Sequence, residues 1–282
     1  MSAPLGLIAG LGDLPVAIAE NAEASGQGVY VIRLKGFEEP RLASFPGSVA
    51  GLGEVGAVLE RLKSAGCRDV VFAGNVSRPD FRNLKLDLKG LSMLPKVLAE
   101  ARRGDDALLR VLVSEFERSG FNVIGSDAAH QALLAPAGLI CGPMPAPEIM
   151  ADIETAARVA AATGALDIGQ GCVVCDGLVL AVEAQEGTDA MLRRCASLPE
   201  AIRGTPSEPR GVLVKRPKPL QERRIDLPTT GVSTVELAAA AGLAGIAIEA
   251  GGALMLNRAG MIEAAEAHGL FLFGFAPETG LP

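Results

Sequence analysis

The chain predicts an α/β fold of two α/β domains, the N-terminal one Rossmann-like with a mostly parallel sheet. Three observations carry that expectation. Short β-rich runs alternate with helical patterns through the first half, glycines mark the turns between them, and the alternation resumes after a Pro/Gly-rich stretch. With 49% apolar residues, 34 glycines and no Trp, the composition is that of an Ala/Val/Leu/Gly-rich enzyme, and 282 residues suffice for two cores.

In order, Leu5–Ala9, Val29–Leu34, Asp69–Ala73 and Phe121–Ile124 read as buried strands. Helical patterns lie between them at Leu14–Ser25, Glu54–Ala65, Leu91–Arg103 and Asp105–Ser119, an alternation that implies parallel pairing. These form a first domain over residues 1–133, and residues 134–147, with Pro136, Gly138, Gly142, Pro143, Pro145 and Pro147, read as a linker. A second domain over 148–276 has helices at Glu148–Thr163, Thr188–Ala196 and Thr234–Ala241. Its strands are Cys172–Val174, Leu178–Val182, Val212–Lys215 and Ile246–Glu249. Residues 277–282 read as a tail.

Charge and patterning exclude several classes. A net charge of −7 argues against a nucleic-acid partner. The opening MSAPLGLIAGLG lacks a cationic segment before a long apolar run, so no secretory signal is expected. Uncharged stretches are broken by Gly and Pro short of the roughly 20 apolar residues a membrane span needs. Five cysteines, an odd number, point to free thiols in a reducing cytoplasm, with Cys172 and Cys175 read as buried filler. Only His130 and His268 are present, His268 near a helix C-terminus, which argues against a histidine-rich metal site. No G-x-S-x-G elbow or G-x-x-x-x-G-K-[ST] phosphate loop occurs.

Several segments carry candidate chemistry. The first strand runs into Gly10-Leu11-Gly12-Asp13, a glycine turn before a helix N-terminus that favours anions, or else a tight turn capped by Asp13. Pro15 stands where a dinucleotide fingerprint has its third Gly, and the second strand reaches Arg33 rather than an acidic residue. Asn75-Val76-Ser77-Arg78 follows the third strand, where open α/β sheets bind ligands, and the Arg78 fork suits phosphate; alternatively Ser77 caps a helix and Arg78 pairs with Asp80. Asn122 is a further candidate. Asp105 and Asp106 suit the dipole of the helix they open, or one is a metal or ribose ligand with Arg110 one turn on.

In the second half, Asp167-Ile168-Gly169-Gln170 precedes a strand. Glu183, Glu186 and Asp189 offer the hard oxygen ligands that Mg²⁺ takes, and Gly187-Thr188 opens a helix with a hydroxyl for phosphate, or a cap. From Lys215 to Arg224 there are five cations, Lys215, Arg216, Lys218, Arg223 and Arg224, followed by Asp226 in an apolar, proline-bounded setting. Cations that offset a diphosphate beside a carboxylate that holds a metal or aligns water suit phosphoryl transfer. A solvated basic loop is the plainer meaning of such a run.

Six blocks in this order resemble the LpxI family: IAGLGDLP at 8–15, GNVSRP at 74–79, GDDALLR at 104–110, DIGQ at 167–170, EGTDAM at 186–191 and KPLQERRIDLPTTG at 218–231. Glu222 departs from it, Asp being expected there more often. The resemblance implies hydrolysis, with Mg²⁺, of the pyrophosphate of UDP-2,3-diacylglucosamine to UMP and 2,3-diacylglucosamine 1-phosphate, a step of Gram-negative lipid A biosynthesis. It implies two α/β domains closing around the substrate, with Asp226 catalytic, through the metal, and Gly10–Asp13, Asn75, Asn122, Gln170 and Thr188 lining the substrate site. Val76, Arg78, Gly187, Lys215, Lys218 and Arg223 are expected to bind substrate with them, and Glu186 and Asp189 to hold metal with Asp226. The expected setting is the cytoplasm, in transient peripheral contact with the inner membrane, and base rates suggest a homodimer. Two rivals remain: a nicotinamide-dependent enzyme, opposed by Pro15 and Arg33, and a non-catalytic nucleotide-sugar sensor.

Overall fold

The computed structural model describes residues 2–77, 84–101, 105–219, 222, 224, 225 and 227–276, with Asp105 and Asp106 described by backbone alone. The tail at 277–282 lies outside the described residues. The chain divides into two compact units, Met1–Ala132 with Glu222–Asp226, and Leu133–Gln221 with Leu227–Pro282.

Unit 1 runs through β1 (Leu5–Ala9), α1 (Asp13–Ala24), β2 (Val29–Leu34), β3 (Gly47–Ala50), α2 (Val55–Ser64), β4 (Asp69–Ala73), α3 (Leu88–Ala101), α4 (Asp105–Arg118), β5 (Asn122–Val123) and α5 (Ser126–Ala129). The strands pair in the order β3-β2-β1-β4-β5, all parallel, as in doubly wound dinucleotide folds. β1 is buried along its whole length because alternate residues serve two cores. Leu5, Leu7 and Ala9 pack with Ile18, Ala19 and Ala22 of α1, while Ile8 packs with Val58 and Leu62 of α2 and Phe116 of α4. β3 escapes the sequence pattern because it is a short, half-exposed edge without an apolar run.

Unit 2 comprises β6 (Gly138–Cys141), α6 (Pro147–Ala165), β7 (Gly171–Cys175), β8 (Leu178–Val182), α7 (Gly187–Ala196), β9 (Val212–Lys215), β10 (Thr229–Thr230), α8 (Val232–Ala240), β11 (Gly245–Glu249), β12 (Leu254–Met255), α9 (Arg258–His268) and β13 (Phe271–Phe275). Its main sheet has the order β6-β13-β11-β9-β7-β8. The middle strands β9, β11 and β13 are parallel, and β6, β7 and β8 are antiparallel to their neighbours. α6 covers one face through Ile153, Ala156 and Ala160, while Met191, Leu192, Val235, Ala238 and Met261 of α7, α8 and α9 cover the other.

The stretch read as a linker thus contributes an edge strand, β6. Its prolines fall outside the four strand residues, where a missing N–H breaks no ladder. The five cysteines are free and buried, and burial raises the Cys67 thiol to about 11 and the Cys172 thiol to about 12. Among the described residues no helix is long and apolar enough to cross a membrane.

Candidate functional site

Strand order reverses direction at β1 in unit 1, so the loops after β1 and β4 leave the sheet side by side. Open α/β sheets bind ligands in the crevice outside such carboxyl ends. The two loops are tied by backbone hydrogen bonds: Gly10 N–H to Ala73 C=O at 2.9 Å, Leu11 N–H to Asn75 C=O at 3.0 Å, and Asn75 N–H to Leu11 C=O at 2.7 Å. Glycine permits the approach. A Cβ on Gly10 would lie 2.6 Å from the Asn75 carbonyl oxygen, and Gly74, at φ 95°, would meet the Gly10 backbone at 2.8 Å. The structure therefore brings Gly10, Leu11, Gly12, Asn75 and Val76 together, with Leu11, Asn75 and Val76 exposed.

Glu39, missed by sequence reasoning, shapes this turn. Its Oε2 accepts the Gly12 N–H at 3.0 Å and its Oε1 accepts from Arg41 Nε at 2.7 Å, while Arg41 also reaches Asp13 at 2.8 Å. The Arg41 hydrogen bond, followed by the Gly12 one, holds the Glu39 carboxyl down at about 2. Phosphates take backbone N–H groups at such turns in dinucleotide folds. Here the protein's own carboxylate occupies that position. Asp13 opens α1 but its side chain makes no cap. Arg33, where a ribose-binding acid was sought, instead donates to the carbonyls of Leu42 and Phe45 and fastens the loop that carries Glu39.

Asn122 is not part of this cluster. It pairs opposite Asp69, the first residue of β4, at the amino end of the strands, and its amide donates to Asp69 Oδ1 at 2.7 Å. The length of β4 separates it from Asn75, because β5 meets β4 only at that strand's start. Among the described residues no helix follows Ser77 before α3 begins at Leu88, and the residues just after Ser77, with Asp80 among them, lie outside the described ones.

Unit 2 holds a buried network. Lys215 ends β9 at 1% exposure, in the middle of the sheet. Its ammonium donates to Glu183 Oε2 at 2.9 Å and Thr188 Oγ1 at 2.6 Å, and the Thr188 hydroxyl donates to Glu183 Oε1 at 2.8 Å. Gly169 of DIGQ and Gly171 just after it make room: a Cβ on Gly169 would strike the Glu183 carbonyl and one on Gly171 would meet Glu183 Oε2 at 2.5 Å. A buried cation needs such a partner, because either charge alone would be desolvated without compensation. Glu183 is therefore committed to Lys215 rather than grouped with Glu186 and Asp189, and the Thr188 proton points at Glu183 rather than outward.

Thr188 and Gly187 open α7, Gly187 at φ 77°. Glu186, before them, pairs with Arg194 at 2.9 Å, and Asp189 stands 4.0 Å from Arg193. A backbone hydrogen bond at Glu186 itself, then Arg194, holds the Glu186 carboxyl below its ordinary value. Gln170 leads into β7, and its carbonyl accepts the Arg216 N–H at 3.1 Å.

Each described cation of the basic segment faces a carboxylate. Lys215 has Glu183, Arg216 has Glu249 at 3.2 Å, and Lys218 has Asp167 at 2.7 Å. Arg224 has Glu222 at 2.8 Å and Glu117 of α4 at 2.6 Å. The run is thus largely self-neutralised. The segment also changes unit, since Glu222–Asp226 belong to unit 1, where Ile225 packs among Phe72, Phe116 and Phe121. Arg78, Arg223 and Asp226 lie outside the described residues. Among the described residues no three His, Cys, Asp or Glu side chains cluster to hold a metal.

With this geometry in hand, likeness to known proteins becomes informative. The LpxI N-terminal domain family matches residues 4–133 and the LpxI C-terminal domain family matches residues 136–273. The chain is also 54% identical over 274 residues to the UDP-2,3-diacylglucosamine pyrophosphatase LpxI of Caulobacter vibrioides, covering 97% of this chain and 98% of that protein. On both grounds the chain belongs to the LpxI family.

Proposed function

We propose that this chain is a UDP-2,3-diacylglucosamine diphosphatase, which adds water across the pyrophosphate bond to give UMP and 2,3-diacylglucosamine 1-phosphate. The observation that carries the proposal is 54% identity, end to end, with a pyrophosphatase of that name. Water forms a new P–O bond, the bridging oxygen leaves with the other phosphate, and each product keeps one phosphorus. Among the described residues no histidine or obvious nucleophile stands at the Gly10–Asn75 turn or in the Lys215–Glu183 network, so positioning and electrostatics supply the acceleration.

Asp226 is the catalytic residue of this proposal, orienting the attacking water or holding Mg²⁺. Bound Mg²⁺ would offset charge on the diphosphate. Carboxylate oxygen is the right donor for it, and one or two carboxylates with substrate phosphates are the usual set. Of the described candidates, Glu186 is engaged by Arg194, so Asp226 takes first place, with Glu186 and Asp189 available where the arginines yield. Lys218 and Arg223 meet the diphosphate; Lys218 does so by exchanging Asp167 for phosphate. Lys215 acts from its buried position by fixing Thr188 at the start of α7. Gly10, Leu11, Gly12, Asn75 and Val76 form one end of the substrate site, and the Glu39 carboxylate beside Gly12 favours an uncharged part of the substrate there.

A lipid-linked substrate brings the chain into transient contact with the cytoplasmic face of the inner membrane, and a homodimer is the expected assembly. The reaction is tested by incubating the chain with UDP-2,3-diacylglucosamine and quantifying UMP and the lipid monophosphate, with Mg²⁺ and with EDTA. Equal amounts of both products, lost in EDTA, are expected. A well-folded chain that binds UDP-sugars without turning them over would favour the sensor reading instead.

A further inference from the structure

α3 is apolar on two opposite sides. Gly90, Met93 and Ala101 face inward and are buried. On the other side Leu88, Leu91, Pro95 and Leu98 recur at spacings of three and four, which places them in one stripe along the helix. They are exposed, Leu88 at 88%, Leu91 at 58% and Leu98 at 40%. Single exposed leucines are ordinary on a protein surface, but a stripe of them on one helix marks an interaction face.

Charge identifies the partner. The chain as a whole carries −7, yet residues 78–103 hold seven Lys and Arg against three Asp and Glu, a local +4. Lys85, three residues before α3, and Lys96 within it are exposed, and neither has a carboxylate partner among the described residues. A leucine-striped helix set in a cationic stretch of an acidic protein has the composition of a segment that lies in a membrane interface, leucines in the acyl boundary and lysines among anionic headgroups. At 14 residues α3 is about 21 Å long, too short to span but sufficient to lie flat.

We propose that the outer face of α3 docks the chain on an anionic lipid bilayer, with Leu88, Leu91 and Leu98 inserted and Lys85 and Lys96 against the headgroups. The proposal rests on the reading that the substrate is lipid-linked, and it assigns membrane contact to one surface. The helix presents the chain to the bilayer from which the substrate is drawn.

Sedimentation with vesicles of equimolar phosphatidylcholine and phosphatidylglycerol, against phosphatidylcholine alone, tests it. The full chain should pellet with the anionic vesicles and remain in solution with the neutral ones. The exposed-site variant L88Q/L91Q/L98Q should lower partitioning at least about tenfold, and K85Q and K96Q about fivefold each, the equivalent of about 1 kcal/mol per lysine. Because the chain has no Trp, Leu91→Trp adds one tryptophan whose emission, excited selectively, should shift to the blue on anionic vesicles alone. UMP release from detergent-dispersed substrate should be unchanged in the glutamine variant, so that failed docking and failed hydrolysis are separate results. Wild-type pelleting by a glutamine variant with wild-type circular dichroism would overturn the proposal. So would a wild-type dimer that the variant turns into a monomer, which would make a second copy the occupant. A raised KM on dispersed substrate with unchanged pelleting would assign the stripe to the substrate's acyl chains.

Discussion

The end of β1 in unit 1 and the end of β9 in unit 2 both bring a charged side chain to the carboxyl end of a parallel strand, with opposite results. At β1 the charge is Glu39, lodged on a turn whose other groups, Asn75 above all, stay open to solvent. At β9 the charge is Lys215, enclosed with Glu183 and Thr188. A buried carboxylate in a network whose other members, Arg41 and Asp13, reach solvent can tune which ligand is admitted at the turn, whereas the buried Lys215–Glu183 pair can only hold its neighbours in place. The glycines differ accordingly: Gly10 and Gly74 bring two loops together, and Gly169 and Gly171 clear space for a buried ion pair.

Removing one half of the enclosed pair should have the largest effect. Glu183→Leu leaves Lys215 buried without a partner and should cost about 3–5 kcal/mol in urea unfolding, while Lys215→Met with Glu183→Leu should recover most of it. Losses in Glu183→Leu and in Lys215→Met that simply add in the double variant would mean that the pair is not coupled. Next in size, Gly74→Ala forces a side chain onto a φ of 95° and into the Gly10 backbone, and should cost about 1–3 kcal/mol. A neutral outcome would show that the two loops are free to part.

The open network should respond to pH. Glu39 has its carboxyl lowered from 4.5 to about 2 in the folded chain, so its contribution is complete above 4.5 and fades as pH falls toward 2. Glu39→Gln should remove that part of the stability–pH slope, read by thermal unfolding across the window, and an unchanged slope would place the acid sensitivity elsewhere. Smallest in stability is Asn75→Ala, within about 0.5 kcal/mol of wild type, since the side chain is exposed. Its effect should fall on KM for the UDP-sugar, raised up to about tenfold by loss of a hydrogen bond.

The alternation that predicted the fold was legible because buried parallel strands need continuous apolar runs, and Leu5–Ala9, Val29–Leu34 and Val212–Lys215 have them. β6 was hidden among prolines and β3 among polar edge residues, since edge strands need no such run. β13, Phe271–Phe275, is an apolar run of the same kind, placed after the last helix and not among the strands expected from the pattern. For the site, the glycine turn and Asn75 were visible as motifs. Glu39 was not, because its role depends on a contact 27 positions away; its one local signal is Glu-Pro-Arg at 39–41, where it caps a short turn and accepts from Arg41. The basic run was visible as charge, but its carboxylate partners, as distant as Glu183, Glu249 and Glu117, emerge only on folding.

The most direct measurement is single-turnover UMP release from UDP-2,3-diacylglucosamine with Mg²⁺, by the wild-type chain and by Asp226→Ala. Release by the wild type, and its loss in a variant that still binds the substrate and unfolds at the same temperature, is the predicted result. Near-wild-type release by Asp226→Ala would contradict the assignment of the catalytic residue, and no release by the folded wild type would contradict the reaction itself.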